Sequence, residues 1–515
     1  MQRIASSQPL HPLKGTQATR VLEHDLATSL GPYTLMARAG AAVARLAVAL
    51  APHSRVYWIW AGPGNNGGDG LEAARQLHLA GHSVGVTLAA SAERLPADAQ
   101  QALARAQAAG VCIQSDPPSR QDALADSVLW IDALLGLGLE SGARELSPAL
   151  ENSLAALRRH RGPVLSVDVP SGLDADTGVA RPWTVPATAT ASLLTLKPGL
   201  FTGQGRDCVG DIWWDDLAAG TLPLPPDAWL SSDSPRLVRR HSQHKGSFGD
   251  VTIVGGAAGM TGAALLAAAA SQAAGAGRVF VHLLAAAASA GEPLTPVALD
   301  PTHPALMFRP WDGDSRPAAW AQHTVACGCG GGDAVVNVLP RLLESAARLI
   351  LDADALNAVA TSPVLQRQLS RRAQKGLSTV LTPHPLEAAR LLGVETIDIQ
   401  NDRRGAAQRI AQAWQCVVVL KGAGTVIASP DAIPWINLPG NAALATAGTG
   451  DVLTGWMAGW WAQSLGSVGE ANHLTVQAVA AQAVAWHGAA AEPMQSGALR
   501  AEDLIERMHK RLRAT

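Results

Sequence analysis

Lysine is scarce in this chain of 515 residues. Arginine and lysine together number 40, yet the only lysines are Lys14, Lys197, Lys245, Lys375, Lys421 and Lys510. Arginine carries the general surface charge, so a lysine inside a motif is worth following. Cysteine is scarce too. Cys112, Cys208, Cys327, Cys329 and Cys416 are odd in number and scattered, which excludes a disulfide framework and fits a reducing compartment. Cys327 and Cys329 are the one close pair; without a second pair or a histidine at zinc spacing they read as loop packing, not as a metal site. The N-terminal stretch has no apolar leader segment, and the expected location is cytoplasmic. The alanine-rich stretch 263–290 is broken by Ser271, Gln272, Arg278 and His282, so it reads as a buried helix and a buried strand instead of a membrane span. The net charge of −2 and the lack of a basic run exclude a nucleic-acid partner.

What is present is apolar mass, 48% of residues, in a chain too long for one ordinary core, so two domains are expected. Apolar runs alternate with helical patterns. Residues 56–60, 83–88, 128–131 and 164–167 read as strands, and 22–50 (interrupted near Gly31), 71–80, 96–109 and 148–159 as helices. A second series begins with a strand over 250–254, a loop to Gly262 and a helix over 263–274. It continues with strands at 348–351, 378–381, 417–420 and 426–428, and ends in helical patterns from Asp451 onward. Such alternation predicts α/β domains with parallel sheets covered on both faces. The Pro- and Ser-rich stretch around 220–234 marks the connection. The expected division is 1–225, a linker over 226–240, and 241–515.

Chemistry-bearing residues gather at the ends of the predicted strands, where open parallel sheets bind ligands. After 56–60 comes GPGNNGGDG (62–70). Its glycines suit close approach of a ligand to the backbone, and the helix predicted from Leu71 offers its positive end. The alternative is a tight turn with local Asx bonds. Asp132 and Asp168 close the next two strands; a single such residue is an ordinary cap or turn former, but three strand ends on one sheet can share a crevice.

NNGGDG (65–70), DALLGLGLESGAREL (132–146) and SVDVPSGLDADTG (166–178), with LMARAG (35–40) before them, resemble the signatures of the NAD(P)H-hydrate epimerase family over residues 13 to 220. The resemblance implies a Rossmann-like three-layer α/β/α sandwich binding a hydrated nicotinamide nucleotide. Asn65, Asn66, Gly67, Gly68 and Asp69, with Gly136, Leu137, Gly138, Leu139, Glu140, Ser141 and Gly142, are implied to wrap it. Asp168 is implied to face the reacting ring as a catalytic group. Asn66, Asp132 and Ser171 are implied to hold a potassium ion, for which oxygen donors are suited. Inverting C6, which bears a hydroxyl beside the ring nitrogen, asks for a positioned carboxylate and a pocket that accepts both epimers.

In the second half, GTGD (448–451) precedes an apolar helix and makes an anion site of backbone N–H groups and the helix dipole. Asp451 is either a general base or merely an N-cap. KGAGT (421–425), TPHP (382–385) and DADALN (352–357) follow three other strands, and HKGSFGDVTIVGG (244–256) opens the series. Together these resemble the ADP-dependent NAD(P)H-hydrate dehydratase family, of ribokinase-like fold, over about 241 to 510. Lys421, Gly422, Ala423, Gly424, Thr425 and Gly450 are implied to hold the AMP moiety. Ala263, Gly328, Gly330, His384 and Asp451 are implied to contact the hydrate, with Asp451 the catalytic base and His384 the next candidate. ADP is the implied co-substrate, with Mg²⁺. The family's GPGLG reads ACGCG at 326–330 and its TPHPGE reads TPHPLE at 382–387, both on the substrate side.

The expectation is a bifunctional repair enzyme acting on NADHX and NADPHX, a homo-oligomer without nucleic-acid or membrane partners. Its rivals are a vitamin or sugar kinase in the second half, since GTGD suits phosphoryl transfer in general, and a non-catalytic binding module in the first.

Overall fold

The computed structural model describes residues 1–5, 10–116, 127–138, 146–160, 162–220, 224–231, 239–284, 300–311, 320–464, 475–494 and 497–514. They divide into two compact units, one spanning Met1–Ala5 and His11–Trp229, the other running chiefly from Leu230 onward. The division falls inside the segment 226–240, but residues 228–231 are not free linker. Ala228–Ser231 is a strand, and Ser231 is bonded into the second unit: its carbonyl accepts from the Leu438 N–H at 3.0 Å and its hydroxyl donates to the Ile436 carbonyl at 3.3 Å.

The first unit is a sheet in the order Gln2–Arg3, Asp211–Asp215, Ala189–Leu193, Val164–Val167, Val128–Ala133, Val56–Ala61, Val84–Leu88 and Cys112–Gln114. Among the described residues every strand pairing in this sheet is parallel except that of Gln2–Arg3 with Asp211–Asp215. Two-residue alternation sends each strand to both faces. Tyr57, Ile59 and Ala61 join one core with helices Thr34–Leu50, Asn65–Leu79 and Ala97–Ala108, whereas Trp60 joins the other with Leu150, Leu154 and Leu157 of Pro148–Leu157. The result is the expected three-layer sandwich.

The second unit orders its strands Met307–Phe308, Arg278–Leu283, Asp250–Gly255, Thr324–Cys327, Arg348–Leu351, Ser378–Leu381, Val417–Leu420, Val426–Ser429 and Ala432–Asn437, parallel as far as Val417–Leu420 and antiparallel after it. One face packs on helices Thr261–Ala274, Thr449–Ser464, Val476–Ala491 and Ala501–Ala514. The other packs on Val335–Ser345, Asp354–Thr361, Pro385–Leu392 and Arg403–Trp414. Helix Thr449–Ser464 lies very close to Thr261–Ala274. A Cβ on Gly455 would stand 1.9 Å from the Ala267 carbonyl oxygen and one on Gly459 2.3 Å from that of Ser271, so these two glycines set the approach that brings Asp451 toward Ala263. Among the described residues no single helix is long and apolar enough to cross a membrane.

Candidate functional site

The glycine-rich stretch of the first unit differs from its expected form. The helix begins at Asn65, not near Leu71, so Asn65, Asn66, Gly67, Gly68 and Asp69 all belong to its first turns. Nor do most of the glycines leave room for a ligand. A Cβ at Gly62 would meet the Leu134 carbonyl oxygen at 1.7 Å, at Gly67 the Gly62 oxygen at 2.1 Å, and at Gly70 the Ala133 Cβ at 2.6 Å. They let the helix start against the neighbouring strand ends. Gly64 and Gly138 do face open space. Pro63, Gly64, Asn65 and Asn66, at the helix's positive end, line a cavity of ≈ 2280 Å³ that Asp69, Leu134 to Gly138 and Asp168 share. Leu139, Glu140, Ser141 and Gly142 lie outside the described residues.

The three residues assigned to potassium come together. The Leu135 carbonyl accepts from Asn66 Nδ2 at 3.0 Å and from Ser171 Oγ at 3.3 Å. The Asp132 carboxylate is fully buried and accepts from the Ser171 N–H (2.8 Å) and hydroxyl (2.6 Å), from Ser166 Oγ (3.2 Å) and from the Leu134 N–H (3.2 Å). Burial pushes its pKa up against those bonds. A buried carboxylate among hydroxyl, amide and carbonyl oxygens is a donor set that fits a hard monovalent cation, which would supply counter-charge.

Asp168 has the left-handed φ of 66°, costly for a residue with a Cβ and a frequent mark of a working site. Its Oδ1 accepts from the Leu193 N–H at 3.1 Å and is ion-paired with the ammonium of Lys197, which is wholly buried and also donates to the Leu193 carbonyl at 2.7 Å. The sequence reading assigned Lys197 no role; the scarcity of lysine was the available signal. It also passed over Glu23. This side chain lines the cavity and is solvent-exposed in part. Burial of its carboxyl in the cavity wall, and then Asp168, raise its pKa to about 7 against the pull of Lys197 and Arg20. The Asp69 carboxyl is pushed well up by burial and then by Asp168 and Glu23.

In the second unit the strand-end loops converge. Lys421 Nζ donates to Asp352 Oδ1 at 2.7 Å, and Thr454 Oγ1 to Asp352 Oδ2 at 2.8 Å. Burial opposes the Lys421 charge, but Asp352 and Glu387 outweigh it and hold the ammonium above its ordinary pKa. A Cβ on Gly450 would stand 3.4 Å from Lys421 Nζ, which joins GTGD to KGAGT. A Cβ on Gly330 would stand 3.0 Å from that of Ala263, and Gly328 abuts the Asp352 carbonyl. The KGAGT loop rests on buried Arg403, whose Nη2 donates to the carbonyls of Leu420 (3.2 Å) and Lys421 (3.1 Å). Gly422, with φ +136°, has no space for a side chain above that guanidinium.

Asp451 is not an N-cap, for the helix already begins at Thr449. Burial and the neighbouring Asp352 raise it to about 6, while a hydrogen bond from Cys329 draws it down. Cys329 therefore does more than pack the loop: its sulfur and the Asp352 and Asp451 carboxylates lie within 4.8 Å of one another. His384 caps helix Pro385–Leu392. Its Nδ1 accepts from the N–H groups of Leu386 (3.1 Å) and Glu387 (3.3 Å), and its Nε2 lies 3.2 Å from Glu387 Oε1. That capping engages one ring nitrogen and leaves the ring half-exposed beside the site.

Comparison with known proteins agrees with both halves. The family model described as NAD(P)H-hydrate dehydratase matches residues 251–510, and that described as YjeF-related protein N-terminus matches 32–199. The bifunctional NAD(P)H-hydrate repair enzyme of Moorella thermoacetica is 39% identical over 453 residues, covering 80% of this chain and 80% of its own. The protein of that name from Escherichia coli K12 is 34% identical over 447 residues, covering 82% and 79%. Among solved structures, the ADP/ATP-dependent NAD(P)H-hydrate dehydratase of Bacillus subtilis co-crystallised with ATP and Mg²⁺ is 30% identical, with a TM-score of 0.41, and covers 53% of this chain and 94% of that one.

Proposed function

The chain belongs to the bifunctional NAD(P)H-hydrate repair enzymes, and from that membership we propose how its two units divide the work. The enzyme epimerises the hydrated nicotinamide nucleotides NADHX and NADPHX and dehydrates the S form, with ADP converted to AMP and phosphate. Epimerisation belongs to the first unit. The ligand lies in its cavity across the start of helix Asn65–Leu79, with Asn65 to Asp69 and Gly136 to Gly142 around it and Asp168 at the reacting ring. Potassium is held by Asn66, Asp132 and Ser171; it supplies counter-charge to Asp132 and fixes the loops that carry all three.

Dehydration belongs to the second unit. Asp451 takes the proton of the C6 hydroxyl as that oxygen attacks the β-phosphorus of ADP, AMP leaving. The ring nitrogen then expels phosphate from C6, and loss of a C5 proton restores the dihydropyridine. Lys421 to Thr425 and Gly450 hold the AMP moiety; Ala263, Gly328, Gly330 and His384 border the hydrate. Mg²⁺ is placed on the phosphates of ADP. The Cys329–Asp352–Asp451 cluster suits it poorly, because a thiol is a soft donor and both Asp352 oxygens are engaged. Five free cysteines fit a cytoplasmic location, and a homo-oligomeric state is part of the same proposal, checked by light scattering.

The observation that carries this reading is that each unit gathers its motif residues at one end of its own sheet, Asp168 with Lys197 in one and Asp451 with Lys421 and Asp352 in the other. Purified enzyme incubated with mixed NADHX epimers should restore absorbance at ~340 nm to completion with ADP and not without it. Phosphorylated substrate accumulating in place of AMP and phosphate would instead identify a kinase.

A further inference from the structure

Besides Asp98 of helix Ala97–Ala108, the first unit's cavity is lined by carboxyls from three separate elements, which one buried ammonium cannot neutralise. Glu23 stands on helix Thr16–Leu30, Asp69 on Asn65–Leu79, and Asp168 follows strand Val164–Val167. Lys197 is committed to Asp168. Arg20, one turn before Glu23, donates to the Leu137 carbonyl at 3.1 Å. His24, Tyr33, Arg94, Asp98 and Arg181 complete the titratable and charged lining. Carboxyls confined together cannot all ionise, so one retains a proton. The ion-paired member, Asp168, accepts; a second member, outside the ion pair and open to the cavity, can give.

We propose that Glu23 is the proton donor of the epimerase, working against Asp168 as the acceptor across the nucleotide cavity. The proposal rests on the assignment of epimerisation to this unit. The substrate's C6 bears both a hydroxyl and the ring nitrogen, so it can open and close without a co-reactant. Asp168 removes the hydroxyl proton, the oxygen pair forms C6=O, and the C6–N1 pair passes to nitrogen, which takes the proton of Glu23. Rotation about C5–C6 turns the other carbonyl face to nitrogen. Ring closure then returns one proton to Glu23 and takes one back from Asp168, so nothing is oxidised or consumed. A carboxyl whose surroundings keep it protonated can serve as the acid beside a carboxylate base at neutral pH, and the pKa of Glu23, raised to about 7, suits the donor's part.

The test uses the full-length enzyme, pure R epimer and no ADP, with R-to-S conversion followed by chromatography across pH. Wild-type turnover should fall above the Glu23 pKa as the donor is lost. Glu23→Gln should lower turnover by roughly 10²–10⁴-fold, the range for losing a general acid or base, leave KM nearly unchanged and abolish the alkaline limb. Glu23→Asp should recover part of the rate and keep the limb. ADP-dependent dehydration of the S epimer reports that the rest of the chain is intact. Should Glu23→Gln fail to fold, the exposed Arg20→Gln decides: it removes a charge that lowers the Glu23 pKa, so the limb must move to higher pH. Near-normal turnover in Glu23→Gln, a limb that survives it, or a limb unmoved by Arg20→Gln overturns the proposal. A limb lost instead in Asp69→Asn gives the role to that residue. Wild-type enzyme that does not epimerise at all refutes the underlying assignment instead.

Discussion

Each unit places one of its rare lysines against a strand-end aspartate, yet the two pairs do different things. Asp168 of the Lys197 pair lines the cavity itself. Asp352 of the Lys421 pair is buried with both oxygens engaged, and the carboxylate free to work is its neighbour Asp451. In the first unit the lysine pairs with a carboxylate that lines the cavity, the one proposed to meet the ligand. In the second the pair is a strut, holding Lys421 under Gly450, while burial and then Asp352 raise the pKa of Asp451, the proposed base, against the pull of Lys421. The same residue types at the same topological position are therefore not the same device, and what separates them is which oxygen atoms remain available.

The sharpest break is Asp451→Asn. A general base lost should lower dehydration by roughly 10²–10⁴-fold, while epimerisation by the other unit stays near normal. Because Asp451 is the third residue of its helix and not the N-cap, stability should change little. A melting curve distinguishes this from the capping reading, which requires lower stability and an almost unchanged rate.

Lys197→Met tests the other pair. It leaves Asp168 without its cation, and removing one partner of a buried pair costs about 3–5 kcal/mol. Denaturant unfolding should show that loss for the single variant and much of it regained when Asp168→Asn is added. Epimerisation should not return with the stability. If the double variant regained activity, Asp168 would be a structural partner only.

The pH dependence of dehydration gives a smaller effect with a definite sign. A base whose pKa is raised to about 6 must be ionised to act, so turnover should fall about tenfold per unit of pH below that value and level off above it. Asp352→Asn removes a like charge and should move this limb to lower pH, even though it loosens Lys421. A limb that stays in place would mean Asp352 does not act on Asp451.

How far the sequence foretold this follows from what local pattern can carry. Strands and the acids near their ends were legible because a continuous apolar run gives way to a polar loop, as after Val164–Val167, although Val128–Ala133 runs one residue past Asp132. The early start of helix Asn65–Leu79 was not, because the five glycines and two asparagines of 62–70 look like a loop unless one knows that Leu134 and Ala133 press against Gly62 and Gly70. Glu23 was invisible for another reason. It sits in an ordinary helical pattern, and its surroundings are made by Asp168 and Lys197, far along the chain. Arg403 beneath the KGAGT loop is the same case. Asp132, Ser171 and Asn66 were placed through resemblance, and the Leu135 carbonyl that joins two of them is a backbone atom on which side-chain patterns are silent.

The smallest effect tests one of the three positions, with Ala326 and Cys327, at which this chain departs from its family's GPGLG pattern. Cys329 stands where that pattern has leucine, and its thiol donates to Asp451. The thiol is buried and its own ionisation is pushed well up by burial and then by Asp451 and Asp352, so it stays protonated and acts as a donor. Donation to a carboxylate stabilises the charged form. Without it, Asp451 should bind its proton more tightly, and the dehydration limb should move to higher pH, opposite to the shift in Asp352→Asn. In Cys329→Ala the rate above the limb should change by about fivefold or less, the worth of a hydrogen bond near 1 kcal/mol. Cys329→Ser keeps a hydroxyl donor and should hold the limb near its wild-type position. Cys329→Leu, with the pattern's own residue, should shift it as alanine does. A limb that moved identically in all three variants would tie the effect to packing around Gly328 and Gly330, because only serine retains the bond.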